Sequence, residues 1–228
     1  MFFQSCTTVP PELVYIQSLY GGSIYASSRK LKSTHRPRWS LYIGATVDVM
    51  RLLRDLATTC VVKLPQVEEA LRYMDSDRQS PKDCRLRLSQ LKSATNDVTI
   101  DASRLTDPYL AGLFASEGTV GIYKLSNGGK TFVMTVNIAQ GGCIPLLVAI
   151  KSVLGCGSHP TNGHLYLSAR IAEQFLLRIQ PFVIGQKVPQ IKLALEFQSK
   201  KCFTGKRSVT EVAESEIASA ELKKLKRQ

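Results

Sequence analysis

A handful of side chains in this sequence have the chemistry to act on a phosphate diester. Glu117 sits in the string Leu110-Ala111-Gly112-Leu113-Phe114-Ala115-Ser116-Glu117-Gly118, and a carboxylate can hold a hard divalent cation. Lys63 and Lys187 each open a Lys-x-Pro-Gln string, and an ammonium group can neutralise charge developing on phosphorus. Hydrolysis of such a diester needs an activated water, charge stabilisation on the phosphate and help for the leaving oxygen. Carboxylate-held metals supply the first and the last. Each residue also has an ordinary reading: a lone glutamate at a helix end is usually solvated, and the lysines can be plain helix-flanking charges. The balance of charge favours a polyanionic partner. Thirty Lys plus Arg against eighteen Asp plus Glu give +12, and neutralising phosphates with release of counterions dominates non-specific affinity for nucleic acid. Basic residues gather at Arg29, Lys30, Lys32, Arg36 and Arg38, and again at Lys223, Lys224, Lys226 and Arg227.

The elements that must position these residues occur twice. Lys63-Leu64-Pro65-Gln66-Val67 matches Lys187-Val188-Pro189-Gln190-Ile191 at an offset of 124 residues. At the same offset Leu52-Leu53-Arg54 matches Leu176-Leu177-Arg178, and Ala70-Leu71 matches Ala194-Leu195. Upstream the offset becomes 134: Pro11, Val14, Ile16, Ser18 and Gly21 match Pro145, Val148, Ile150, Ser152 and Gly155. The extra ten residues fall in a hairpin at about 27–38 of the first copy, and loops tolerate such insertions. A tandem repeat with a loop-confined length change reads as a duplication.

The string 110–118 resembles the signature of the LAGLIDADG homing endonuclease family at Leu110, Ala111, Gly112, Leu113, Ala115 and Gly118, with Glu117 where that family carries its metal-binding acid. The resemblance extends over residues 1–73 and 106–197. It implies an α+β fold of two tandem αββαββα subdomains, each an antiparallel four-stranded sheet with helices on one face. The implied domains are a first repeat over 1–73, a linker over 74–105, a second repeat over 106–200 and a basic tail over 201–228. Counting back 134 residues from Leu110 leads to a position before Met1. The first repeat is therefore expected to lack its signature helix and first strand, through either a lost start of the reading frame or a natural truncation.

In the later copy, Asp107-Pro108 reads as a helix start, with Asp107 as cap and Pro108 at the first helical position. Ala111, Gly112 and Ala115 form a small-residue stripe that lets another helix approach, while Leu110, Leu113 and Phe114 point to a core. Residues 119–124 and 132–139 alternate as strands around the turn Asn127-Gly128-Gly129. A helix is expected over 145–154, stopped by Gly155-Cys156-Gly157. A second hairpin turns at Thr161-Asn162-Gly163, and helices follow over 169–179 and 189–197. In the early copy 38–44 is the last strand, and 46–57 and 65–73 are helices. Residues 84–91 and 218–226 are expected as short helices.

The polar sheet face is the candidate DNA surface, because a twisted β ribbon fits a major groove. An antiparallel sheet with one solvated face is equally common without DNA. The expected DNA-facing residues are Thr119, Tyr123, Thr135, Asn137, Ser158, His164, Tyr166 and Ser168 in the later copy, and Tyr25, Ser27, Arg29 and Tyr42 in the early one. The resemblance also implies catalytic roles for Glu117, Lys187, Lys63 and Gln140, the last as a water-organising residue. Position 6 in the early copy, matching Gln140, is Cys6 and departs from the pattern.

The implied activity is site-specific double-strand DNA cleavage with Mg²⁺ bound by Glu117. Its partners would be duplex DNA or intron RNA, and an RNA-binding maturase or a DNA-binding remnant on the same scaffold is the alternative function. An incomplete first repeat leaves self-association through residues 108–116 open. Six cysteines without a CxxC pair make a zinc site unexpected and reduced thiols in an intracellular protein the default. The resemblance implies an organelle-intron, phage or bacterial cytoplasmic origin. No apolar run reaches the ~18 residues of a membrane span, so no membrane partner is expected.

Overall fold

The computed structural model describes residues 2–5, 9–26, 38–76, 80–94, 98–125, 131–158, 162–200 and 208–226. The chain divides into two units, Met1–Ile100 and Asp101–Gln228.

The first unit is a three-stranded antiparallel sheet with helices. Strands β1 (Phe2–Ser5), β2 (Ser23–Ala26) and β3 (Arg38–Tyr42) pair in the order β1-β3-β2. Ile24 lies opposite Leu41, and Tyr25 lies opposite Ser40. Leu41 is wholly buried, whereas Tyr25 and Tyr42 are more than half exposed. Helix α1 (Pro11–Tyr20) begins on a proline and stops at Gly21, whose φ of 67° no β-substituted residue adopts readily. Helices α2 (Thr46–Thr59) and α3 (Leu64–Met74) follow, packed on one another. Helix α4 (Pro81–Ser93) packs on α3. Buried Glu69 of α3 is held by Arg72 and by Arg87 of α4.

The second unit runs α5 (Asp107–Glu117), β4 (Gly118–Lys124), β5 (Phe132–Ala139), α6 (Ile144–Leu154), β6 (His164–Ser168), α7 (Ala169–Ile179), α8 (Lys187–Ser199) and α9 (Val209–Leu225). Its strands pair antiparallel in the order β4-β5-β6. Strict alternation in β5 sets its inner face: Phe132, Met134, Val136 and Ile138 are buried, while Val133, Thr135 and Asn137 are half exposed. The register aligns Val120, Val136 and Leu167 across the three strands on that inner face. Leu110 and Phe114 of α5, Leu147 and Ile150 of α6, and Phe175 and Leu176 of α7 are buried in the same unit. The Phe114 and Phe175 rings pack edge to face with centroids 6.1 Å apart. The α+β class and the antiparallel sheets expected from the sequence are present.

Several expectations need correction. Among the described residues the sheet of the second unit has three strands, not the expected four. In the second unit the position beside β6 is reduced to a single bridge, Ser158 to Tyr166. Gly155 and Gly157 hold φ of 65° and 105°, and left-handed backbone on both sides of Cys156 prevents an extended strand there. The cap of α5 is Thr106, whose hydroxyl accepts from the Tyr109 amide. Asp107 is the first helical residue and binds Arg178 at 2.5 Å instead. Of the small-residue stripe, Ala111 is buried, Ala115 is half-buried and Gly112 is exposed, which leaves part of it open.

Other boundaries moved outward. Residues 74–105, expected as a linker, contain α4, because Ser80 caps it through the Lys82 amide and Cys84 buries its inner face. The basic tail contains α9, which starts at Val209 on a reciprocal Ser208–Glu211 cap. The turn Asn127-Gly128-Gly129, Thr161, Cys6, Ser27, Arg29 and Arg227 lie outside the described residues.

Candidate functional site

Two features of the second unit converge at one end of its sheet. Helix α5 passes directly into β4, so Glu117 is the last helical residue and Gly118 the first of the strand. The junction is tight. A Cβ at Gly118 would stand 2.3 Å from the Phe114 ring and 2.6 Å from the Phe114 carbonyl, so only glycine fits. Glu117 itself is exposed. Lys187 opens α8, and its Nζ donates to the Gly118 carbonyl at 2.7 Å while lying over the Phe114 ring at 5.7 Å. The packing of α8 on β4 thus brings a lysine distant in sequence to the residue after Glu117.

Gln140 lies at the same end. Gly118 faces Ile138 in the sheet register, and Gln140 follows the last residue of β5. Its amide donates to the Gly163 carbonyl at 2.7 Å, and its own carbonyl accepts from the Cys143 amide. Gly163, at φ of 81°, is the close neighbour of this loop: a Cβ there would stand 2.6 Å from the Gly141 Cα. Sequence reasoning saw Asn162-Gly163 only as a turn and missed its part in holding Gln140.

The outer face of the sheet carries the expected polar side chains in rows. Thr119, Asn137 and Tyr166 align across β4, β5 and β6, with Ser158 bridged beyond Tyr166. Thr135 and Ser168 form the next row, and His164 faces Ala139 in the row before. Tyr123 is about half exposed, and its ring occupies the space above Gly121, where a Cβ would come within 2.3 Å of it. His164 Nδ1 lies 3.2 Å from Asn137 Oδ1, and the His164 ring stacks on Tyr166 at 5.8 Å and 18°. The Asn137–His164 coupling across strands is invisible to a reading of single strands.

In the first unit Tyr25 and Tyr42 project from the outer face, and Lys63 is the exposed N-cap of α3. Lys63 and Lys187 therefore occupy matching places at the start of α3 and α8. Their glutamines match as well. Gln66 donates to the Leu91 carbonyl at 3.2 Å, and Gln190 to the Gln186 carbonyl at 3.2 Å.

Among the described residues no group of three or more His, Cys, Asp and Glu could hold a metal ion. One exposed carboxylate is nonetheless a fitting donor for Mg²⁺, which takes one or two carboxylates and fills its remaining positions with water and substrate phosphate oxygens.

No protein-family model matches this sequence. No curated protein matches it either. Among solved structures, the meganuclease I-SmaMI bound to uncleavable DNA with a TTCT central four is similar at a TM-score of 0.65 and 14% identity, over 97% of this chain and 86% of that one. The I-SmaMI LAGLIDADG homing endonuclease bound to cleaved DNA gives 0.63 and 17%, over 96% and 84%. The LAGLIDADG meganuclease I-AabMI bound to uncleaved DNA gives 0.61 and 14%, over 99% and 87%. With this similarity over nearly its whole length, this chain has the fold of the LAGLIDADG homing endonucleases.

Proposed function

We propose that this chain is a metal-dependent DNA endonuclease that seats duplex DNA on its open sheet faces and cleaves at the α5–β4 junction. The observation that carries this reading is the Lys187 ammonium held 2.7 Å from the carbonyl of Gly118, the residue that follows the exposed Glu117. A carboxylate and a fixed cation at the edge of a polar, groove-sized surface are the pieces a phosphodiester hydrolase needs.

Glu117 would hold a divalent cation, Mg²⁺ in the first instance, which supplies a water nucleophile at neutral pH and charge at the leaving oxygen. Lys187 places a positive charge where an incoming phosphate would sit, and the Phe114 ring beneath it limits where that charge can move. Gln140 is pinned through its main chain to Gly163, so its side chain starts from a fixed point at the same end of the sheet. Thr119, Tyr123, Thr135, Asn137, Ser158, His164, Tyr166 and Ser168 offer donors and acceptors to base edges and phosphates, as Tyr25 and Tyr42 do in the first unit. Lys63 is the matching cation there. Its function as a homing enzyme of intron origin is part of the same proposal.

The test has two steps. Duplexes bound by the chain in Ca²⁺ are selected from a randomised library, then exposed to Mg²⁺. The unaltered chain should cut selected duplexes on both strands. Glu117→Gln, which removes the charge and keeps the shape, should bind them with unchanged affinity and cut at least 100-fold more slowly. Cleavage by Glu117→Gln at the unaltered rate refutes the assignment.

A further inference from the structure

Asn137 and His164 are joined across the β5–β6 pair on the open face, and this has a consequence for which base they can read. They are diagonal neighbours, since Asn137 faces Tyr166 and Ala139 faces His164. Their side chains meet at 3.2 Å, Oδ1 to Nδ1, and the His164 ring is steadied by its stack on Tyr166. A neutral imidazole carries one N–H donor and one bare nitrogen acceptor, and a carboxamide carries one of each kind of end. Two arrangements satisfy the contact. Nδ1–H donates to the amide oxygen, which leaves the amide NH₂ and a bare Nε2 outward. With the amide turned over, its NH₂ donates to Nδ1, which leaves the amide oxygen and Nε2–H outward. Both present one donor and one acceptor side by side.

The base edges in the major groove differ in this respect. Adenine shows an acceptor at N7 and a donor at N6, whereas guanine shows two acceptors, N7 and O6. We propose that Asn137 and His164 act as one reading unit that accepts adenine and rejects guanine at a single base pair of the bound duplex. The inference rests on the open sheet face being the DNA surface, and it adds the hydrogen-bond polarity of one position. At adenine both outward groups find complements. At guanine one acceptor of the pair meets an acceptor of the base, and a buried polar group is left unpaired.

The experiment is selection of bound duplexes from a randomised library in mildly alkaline buffer, followed by competition binding at each position. The unaltered chain should show one position with adenine favoured over guanine by roughly tenfold or more. Asn137→Ala removes the amide and should erase that preference, whereas His164→Ala leaves a lone amide that still offers a donor and an acceptor and should weaken the preference at the same position. Both should leave the other positions in place. The double variant should lose no more discrimination than Asn137→Ala alone, because the two act as a unit. Asn137→Asp exposes only acceptors and should move the preference there to cytosine, whose N4 donates. Single variants that alter different positions, or losses that add, overturn the inference while leaving DNA binding intact. Guanine favoured at the shared position overturns it as well. Failure of the unaltered chain to bind any duplex overturns the functional reading and this inference together.

Discussion

Gly163 offers the sharpest separation between backbone conformation and close packing. Its φ of 81° is left-handed, and a Cβ would stand 2.6 Å from the Gly141 Cα and 3.1 Å from the Gly141 amide nitrogen. Gly155 has a similar φ of 65° with open space around its missing Cβ. Alanine at Gly155 therefore meets only the backbone penalty, about 1 kcal/mol. Alanine at Gly163 meets that penalty plus an overlap of about 1 Å with main-chain atoms. Forcing a methyl into a full site costs roughly 1–3 kcal/mol, so the total is about 2–4 kcal/mol. For a unit of this size that is a fall in melting temperature of roughly 10 °C, against a few degrees for Gly155→Ala. Thermal unfolding followed by circular dichroism without DNA measures both. The strand must also move away from Gly141, which lengthens the 2.7 Å bond from the Gln140 amide to the Gly163 carbonyl. Gly163→Ala should therefore slow cleavage at temperatures where it is fully folded, and Gly155→Ala should not. Equal costs for the two alanines would show that the approach to Gly141 does not constrain the loop.

Two further substitutions test the packing around the site. Lys187→Met keeps the side-chain length over Phe114 and removes the charge at the Gly118 carbonyl; it should cost about 1 kcal/mol of stability and slow cleavage about 100-fold or more, and single-turnover rates near the unaltered value would refute the role of the ammonium. Ser219 of α9 donates to the Ile122 carbonyl at 2.8 Å within a buried contact, so Ser219→Ala should cost about 1–3 kcal/mol by orphaning that carbonyl; denaturant unfolding with no shift in midpoint would show that water replaces the hydroxyl.

Much of the fold was written locally. The alternation at 132–139 and the apolar positions at 169–179 define β5 and α7 with the bounds expected of them, because each element buries one face and its period shows which. What failed was chemistry that depends on distant partners. Asp107 has the composition of a cap, but Thr106 can reach the Tyr109 amide and Asp107 is drawn to Arg178, 71 residues along the chain. The short helix expected at 84–91 is longer, Pro81–Ser93, because Ser80 caps it and α3 packs beside it. The fourth strand was expected from two hairpins of equal rank. Among the described residues, the left-handed glycines flanking Cys156 leave one arm of the second hairpin with a bridge at Ser158.

The candidate site divides in the same way. Glu117 was legible because a helix-ending acid in a recognisable string is a local pattern. Lys187 was legible only through its repetition as Lys63, since nothing local says that it reaches residue 118. Its 2.7 Å contact arises because α8 packs on β4 and its first turn overhangs the strand's first residue. Glycine at 118 makes that possible: any Cβ there would strike Phe114, the ring over which the ammonium lies. The string 110–118 therefore carries two kinds of information. Leu110 and Phe114 build the core that sets the helix, while Gly118 keeps the helix end close enough to the strand for one lysine to serve it. The side chains of the open sheet face could be listed from alternation alone. Which of them share hydrogen bonds, as Asn137 and His164 do, followed from strand register, and register is a property of the assembled sheet.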